Sequence, residues 1–299
     1  MNPASNPDAA TPAVRLLYWA VRRELWESRS IYLAPLAVAA LILVGFLIST
    51  ISLPAKIRAA SALSFMGQHN PIAQPYLIAA GVMMLTTLAV GVFYSLDALY
   101  GERRDRSILF WKSLPISDFI TVLSKAITPV VILPLVTFAI TAMMQWIMLL
   151  VSSAVLVVNG LSAAPLWTNS SLFEKWLILL YHFLTVHGLW YAPIYGWLLL
   201  VSAWARRAPF LWAVLPVLAV AVAEKIAFNT SHFGALVATR MIGGGGGSEE
   251  FTTAYLSMDP LMHFSPGAFL TSPGLWIGLA FAAAFLAAAV RLRRYRDPI

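Results

Sequence analysis

The sequence predicts an all-α integral membrane protein. It has six transmembrane helices preceded by an N-terminal amphipathic interfacial helix, and a short helix in the cytoplasmic segment between spans 2 and 3. Three observations carry this reading. Hydrophobic residues make up 60% of the 299 and charged residues 11%, against about 45–50% and about 25% in soluble domains. Six apolar runs reach the roughly 20 residues that a helix needs to cross hydrocarbon about 30 Å thick. Basic residues gather in alternate segments between those runs, as topology signals do.

The N-terminal segment, 1–30, reads as a polar tail and an interfacial helix. Thr11 suits an N-cap and Pro12 the first helical position. Val14, Leu17, Tyr18, Val21 and Leu25 fall at helical spacing on one face, with Arg15, Arg22, Arg23 and Glu27 elsewhere, so the helix is expected to lie in the inner membrane interface. The opening "MNPASNPDAA" is polar, and the first apolar run starts too late and runs too long for a signal peptide.

Residues 31–299 form a single transmembrane domain in this reading, with spans at about 31–53, 76–97, 127–158, 174–203, 209–228 and 273–291. The third and fourth exceed the membrane thickness, which predicts tilt or kinks. Pro129, Pro134 and Pro193 are the expected kink points. With the N-terminus inside, fifteen of the 20 Lys and Arg residues fall on the inner side. Both termini are then cytoplasmic, in a multi-pass protein of a bacterial-type cytoplasmic (inner) membrane. The outer loop 229–272 contains "GGGGGSEE", a flexible composition, flanked by stretches apolar enough to be re-entrant.

Composition excludes several chemistries. With no cysteine there is no disulfide, thiolate nucleophile or thiolate metal site. The pentaglycine lacks the Lys of a phosphate-binding loop, so the chain has no ATPase site of its own and no catalytic residues are assigned. His182 and His187, five apart, point about 140° apart around a helix and make no metal pair. His69, His232 and His263 lack ligand spacing. Charged residues near the spans (Asp97, Glu174, Lys175, Glu224, Lys225) lie at their ends, so no mid-membrane carboxylate speaks for ion-driven transport. The net charge of +7 is accounted for by topology signals rather than by nucleic acid.

The segment "ALYGERRDRSILFWKSLPISDFITVLSK", 98–125, is more than a connector. Its arginines fit a positive-inside loop, but Ile108, Leu109, Phe110, Trp111 and Leu114 do not. A short helix from Glu102 to Ser113, stopped before Pro115, accommodates both. Ser117 would cap the helix that runs on into span 3. The product is a partly apolar knob with charged edges between two spans.

In this stretch the chain resembles the ABC-2 type permeases, the membrane subunits of ATP-driven exporters. Glu102 matches the family's acidic position, "LPIS" at Leu114–Ser117 its Pro-x-Ser element, and Lys125 its closing Lys. At Arg106–Ile108 the sequence departs from the family's Gly-Thr-x-Glu stretch. The resemblance implies a homodimer or heterodimer of permeases working with separate ATP-binding cassette subunits, which carry the ATP and Mg. The 102–113 segment would then be a coupling helix seated in a cleft of the ATPase. Glu102, Arg103, Arg104, Asp105 and Arg106 would supply docking ion pairs, Phe110 and Trp111 would pack in the cleft, and Pro115, Ser117 and Lys125 would complete the coupling element. Gln145, His182, His187 and Tyr191 are candidates for lining a translocation path. Trp146, Trp190, Trp197, Met143, Met144 and Met148 would give that path an aromatic and Met-rich surface suited to amphipathic cargo. A membrane scaffold or sensor, or an intramembrane enzyme acting on lipid or peptide, is the alternative.

Overall fold

A computed structural model of the chain describes residues 13–62, 74–113, 116–168, 172–242 and 266–295. Helix is the only regular structure among the described residues. Thr11, Pro12, His69, Pro115, the pentaglycine, His263 and Arg296 lie outside them.

Among the described residues, five helices are long and apolar enough to cross a membrane, and a bent pair makes six if it counts as one span. After α1 (Ala13–Glu27) comes the first of them, α2 (Ser30–Thr50), followed by a short α3 (Leu53–Ala62). α4 (Gln74–Asp97) leads into two short helices, α5 (Tyr100–Arg104) and α6 (Ser107–Ser113). α7 (Asp118–Ile127) passes through a π-helical stretch, Thr128–Ile132, into α8 (Leu133–Val158). A short α9 (Ala164–Thr168) precedes α10 (Leu172–His182), which continues as a π-helical stretch, Phe183–Trp190, and then α11 (Ala192–Trp204). α12 (Pro209–Phe228), α13 (His232–Ile242), α14 (Pro266–Thr271) and α15 (Pro273–Tyr295) complete the order.

The prolines act where the sequence suggests, by a particular device. Pro129 lies in the π-helical stretch and Pro134 opens α8. Proline lacks an N–H and its ring crowds the preceding turn, and a π-helical turn takes up that misfit. Pro193 starts α11 just beyond the break at Tyr191, where the two helices of the bent pair meet at 46°.

The core lies between α2, α4 and α8, where Ala39, Phe46, Ala79, Met83, Met144 and Met148 interlock. Met144 and Met148 are therefore core residues rather than part of an exposed surface; only Met143, 66% exposed, faces outward. α11 packs along α15 and beside α4. There Gly196 lets the α15 backbone approach: a Cβ would sit 3.3 Å from Ala282 Cα. α12 buries Ala213 alone and turns Phe210, Leu211, Trp212, Leu215 and Leu218 outward. An apolar helix exposed in this way suits hydrocarbon surroundings, not water.

α1 sets one side against the bundle. Its inward side presents Ala20 and Glu24, and Leu25 packs beside Ile31, Tyr94 and Leu133. Val14 and Tyr18, grouped by periodicity with Leu17, Val21 and Leu25 on one face, are exposed with Trp19 and Trp26. The reason is electrostatic: α1 packs on α7, and α7 presents a buried lysine there.

Candidate functional site

The segment between α4 and α7 is two helices, not the single helix expected from Glu102 to Ser113. Arg106 breaks it with a left-handed φ of 56°. The break has a packing cause. Arg103 and Ile108 are both buried, yet five residues apart on one helix they would point about 140° from each other. Turning the chain at Arg106 sends both inward.

Arg103 reaches past the break to the end of α11, donating to the carbonyls of Ala203 and Ala205, the latter at 2.7 Å. These are carbonyls that a helix C-terminus leaves without intrahelical partners. Ser202 Oγ accepts from the N–H groups of Leu99 and Tyr100 at 3.0 and 2.8 Å. The base of the knob is thus fastened to α11.

Glu102 faces the other way, into a buried charge cluster. Lys125 Nζ lies 3.1 Å from Glu102 Oε1 and within 3.0 and 3.1 Å of the two Glu24 oxygens. Arg293 of α15 pairs with Glu102 through Nη1, and its Nε donates to Asp118 at 3.1 Å. Arg23 stands 2.7 Å from Glu24 and 3.5 Å from Glu102. Tyr94 donates to Glu24 Oε2 at 2.8 Å. Three cations meet three carboxylates here, from α1, α5, α7 and α15, and Arg23 also stands 3.5 Å from the exposed Glu27. Burial works to raise the Glu24 pKa, but Lys125 and Arg23 outweigh it and hold the carboxyl below its ordinary range. Removing one partner would strand a charge away from water, which is what makes such a cluster decisive for local geometry.

The expected docking residues therefore divide. Glu102, Arg103 and Lys125 are buried inside the chain and committed to internal partners, so they do not form surface ion pairs. Arg104, Asp105 and Arg106 are exposed, with Arg104 Nε 3.0 Å from Asp105. Leu109 and Phe110 of α6 point outward at 58% and 59% exposure, joined by Phe119 of α7. Trp111 is half-buried beneath the Arg23 guanidinium, 4.0 Å from its ring centre. Ser117 caps α7, accepting from the Ile120 N–H at 3.2 Å. Pro115 lies outside the described residues. Sequence reasoning did not select Glu24, Tyr94, Asp118 or Arg293 as site residues.

A second feature sits at the middle of the bundle, where the two π-helical stretches touch. Gly188 permits the contact, since a Cβ there would fall 2.7 Å from the Val130 carbonyl oxygen. His187 is buried between the rings of Phe183 and Tyr191 at 5.5 and 5.4 Å, and its Nδ1 has no hydrogen-bond partner among the described residues. Tyr191 donates to the Met241 carbonyl at 3.0 Å. Gln145 is tied elsewhere, donating to the Tyr76 carbonyl at 3.3 Å and accepting from Trp176 at 2.8 Å. His182 bonds through Nδ1 to the Ile178 carbonyl at 2.9 Å. Of the four candidate path residues, His187 and Tyr191 come together, buried within the chain.

No protein-family model, curated protein or solved structure matches the chain.

Proposed function

We propose that the chain is the membrane-spanning permease subunit of an ABC exporter, moving a substrate with ATP hydrolysed by a separate subunit. The observation that carries this reading is the contrast within residues 100–119. The tip exposes Leu109, Phe110 and Phe119 beside Arg104, Asp105 and Arg106, while the base is locked by Glu102 and Arg103 to α1, α7, α11 and α15. A solvated loop needs neither an apolar tip nor a rigid root. A lever needs both, because a force on its tip must reach the spans without being lost in local motion.

In this reading the bent pair α10–α11 is one span, giving six, and both termini are cytoplasmic with the knob. The ATPase supplies ATP and Mg, its cleft takes the exposed edge of α6, and the charge cluster passes the displacement to α1, α7 and α15. Two permeases, alike or different, complete the exporter.

The test is recovery of the tagged chain from its native membranes in mild detergent, with mass spectrometry of its partners. A stoichiometric ATP-binding subunit, lost when Leu109 and Phe110 are replaced by Ser, supports the reading. Recovery of the chain alone across several detergents favours a scaffold or sensor instead.

A further inference from the structure

We propose that α13 is a releasable strap over the bend of the split span, with Arg240 as its catch in a notch between Gly274 and Gly278. The two glycines stand one turn apart on α15 and leave a gap in its surface. The Arg240 guanidinium fills that gap. Its Nη1 donates to the Gly274 carbonyl at 3.0 Å, and a Cβ on Gly278 would overlap Nη2. The guanidinium also lies 4.1 Å from the centre of the Trp190 ring. Next to it, the Met241 carbonyl accepts from Tyr191. The C-terminal end of α13 is therefore pinned on Trp190 and Tyr191, the residues at the 46° bend. Its other end is held by Glu224 of α12, which accepts from the N–H groups of His232 and Phe233 at 2.7 and 2.8 Å.

Among the described residues, little else holds the strap down. Among the described side chains of α13 none is buried, so apolar packing contributes little. Among the described residues the catch is a cation without a carboxylate, and burial lowers the Arg240 pKa. A cation–π contact and one hydrogen bond to a neutral carbonyl are modest attractions, set against the lost hydration of the guanidinium. That balance differs from the charge cluster around Lys125, where each ion faces an opposite one. A helix fastened at its ends over a break, by contacts that nearly cancel, is suited to open and reclose. This inference stands independently of any ATPase partner.

The chain has no cysteine, so pairs of introduced cysteines can be spin-labelled cleanly in the full protein in lipid vesicles. One pair, at the exposed Leu236 and Ile277, reads the strap against α15. A second, at the exposed Leu177 and Ile277, reads the outer half of the bent span. The unmodified catch should give one narrow Leu236–Ile277 distance. Arg240→Ala and Gly278→Leu, on separate helices, should each add a longer population and shift the Leu177–Ile277 distance. Three results overturn the proposal: a Leu236–Ile277 distance unchanged in both variants, release by one variant alone, or release with no change across the bend.

Discussion

Lys125 is shared between carboxylates from two other helices: Nζ stands 3.0 Å from Glu24 Oε1 and 3.1 Å from Glu102 Oε1. α1 and the knob are thereby joined through one buried ammonium. Lys125→Met leaves two acids facing each other without their shared cation, and we expect a loss of about 3–5 kcal/mol, the usual cost of breaking a buried pair. Glu24→Gln added to it should restore part of the loss. A double-mutant cycle by chemical denaturation in detergent measures this, with a coupling of about 0.5–3 kcal/mol expected for groups in contact. Strict additivity would show that the two residues do not depend on each other.

The same cluster sets a response to acid. Glu24 is held below its ordinary pKa of 4.5 in the folded chain. A depressed folded pKa means that the unfolded state takes up protons first, so the stability from Glu24 is present above pH 4.5 and is lost as pH falls through the folded value. Melting temperature should therefore be flat from pH 7 to about 5 in this contribution and drop below it. Glu24→Gln should start lower and show a shallower acid limb. Parallel limbs in the two proteins would remove Glu24 from the account.

Phe110 and Trp111 are neighbours with different duties. Phe110 is 59% exposed, whereas Trp111 lies under Arg23 with its ring against the guanidinium. Phe110→Ala should leave the melting temperature within error and reduce recovery of a partner by roughly tenfold or more, if the tip carries about 1.4 kcal/mol of binding. Trp111→Ala should instead lower stability by about 1–2 kcal/mol through the lost cation–π contact and packing. Equal effects of the two substitutions on stability would contradict this division.

The sequence made the apolar runs legible because a spanning helix repeats its signal over twenty residues. It also marked Ser117, whose cap is local, and singled out Glu102 and Lys125 by their positions. It could not show that those two meet. Glu24 is 101 residues from Lys125, and Arg293 is 191 from Glu102; nothing local pairs them. Hydrophobic periodicity placed Val14, Leu17, Tyr18, Val21 and Leu25 on one face of α1 and gave Glu24 no role. Burial of Glu24 is tolerable only because Lys125 and Arg23 await it, a condition set by tertiary packing. Gly188 and Gly196 carry no legible signal for a related reason: a small residue permits close approach without showing what approaches.

Gly188 gives the sharpest steric test of the mid-bundle contact. Its missing Cβ would come 2.7 Å from the Val130 carbonyl oxygen. That oxygen is backbone, held within the π-helical stretch of the facing span, and cannot swing aside as a flexible side chain would. Gly188→Ala must therefore push the two spans apart, and we expect a cost of about 1–3 kcal/mol, typical of overpacking. Gly45→Ala is the control, because nothing lies within 4 Å of its added Cβ and replacing a helical glycine by alanine generally gains about 0.5–1 kcal/mol. Thermal melts in one detergent should move the two variants in opposite directions. If Gly188→Ala is as stable as the parent, the two π-helical stretches do not touch at Val130, and the bend must be held by the strap and the Trp190 seat alone.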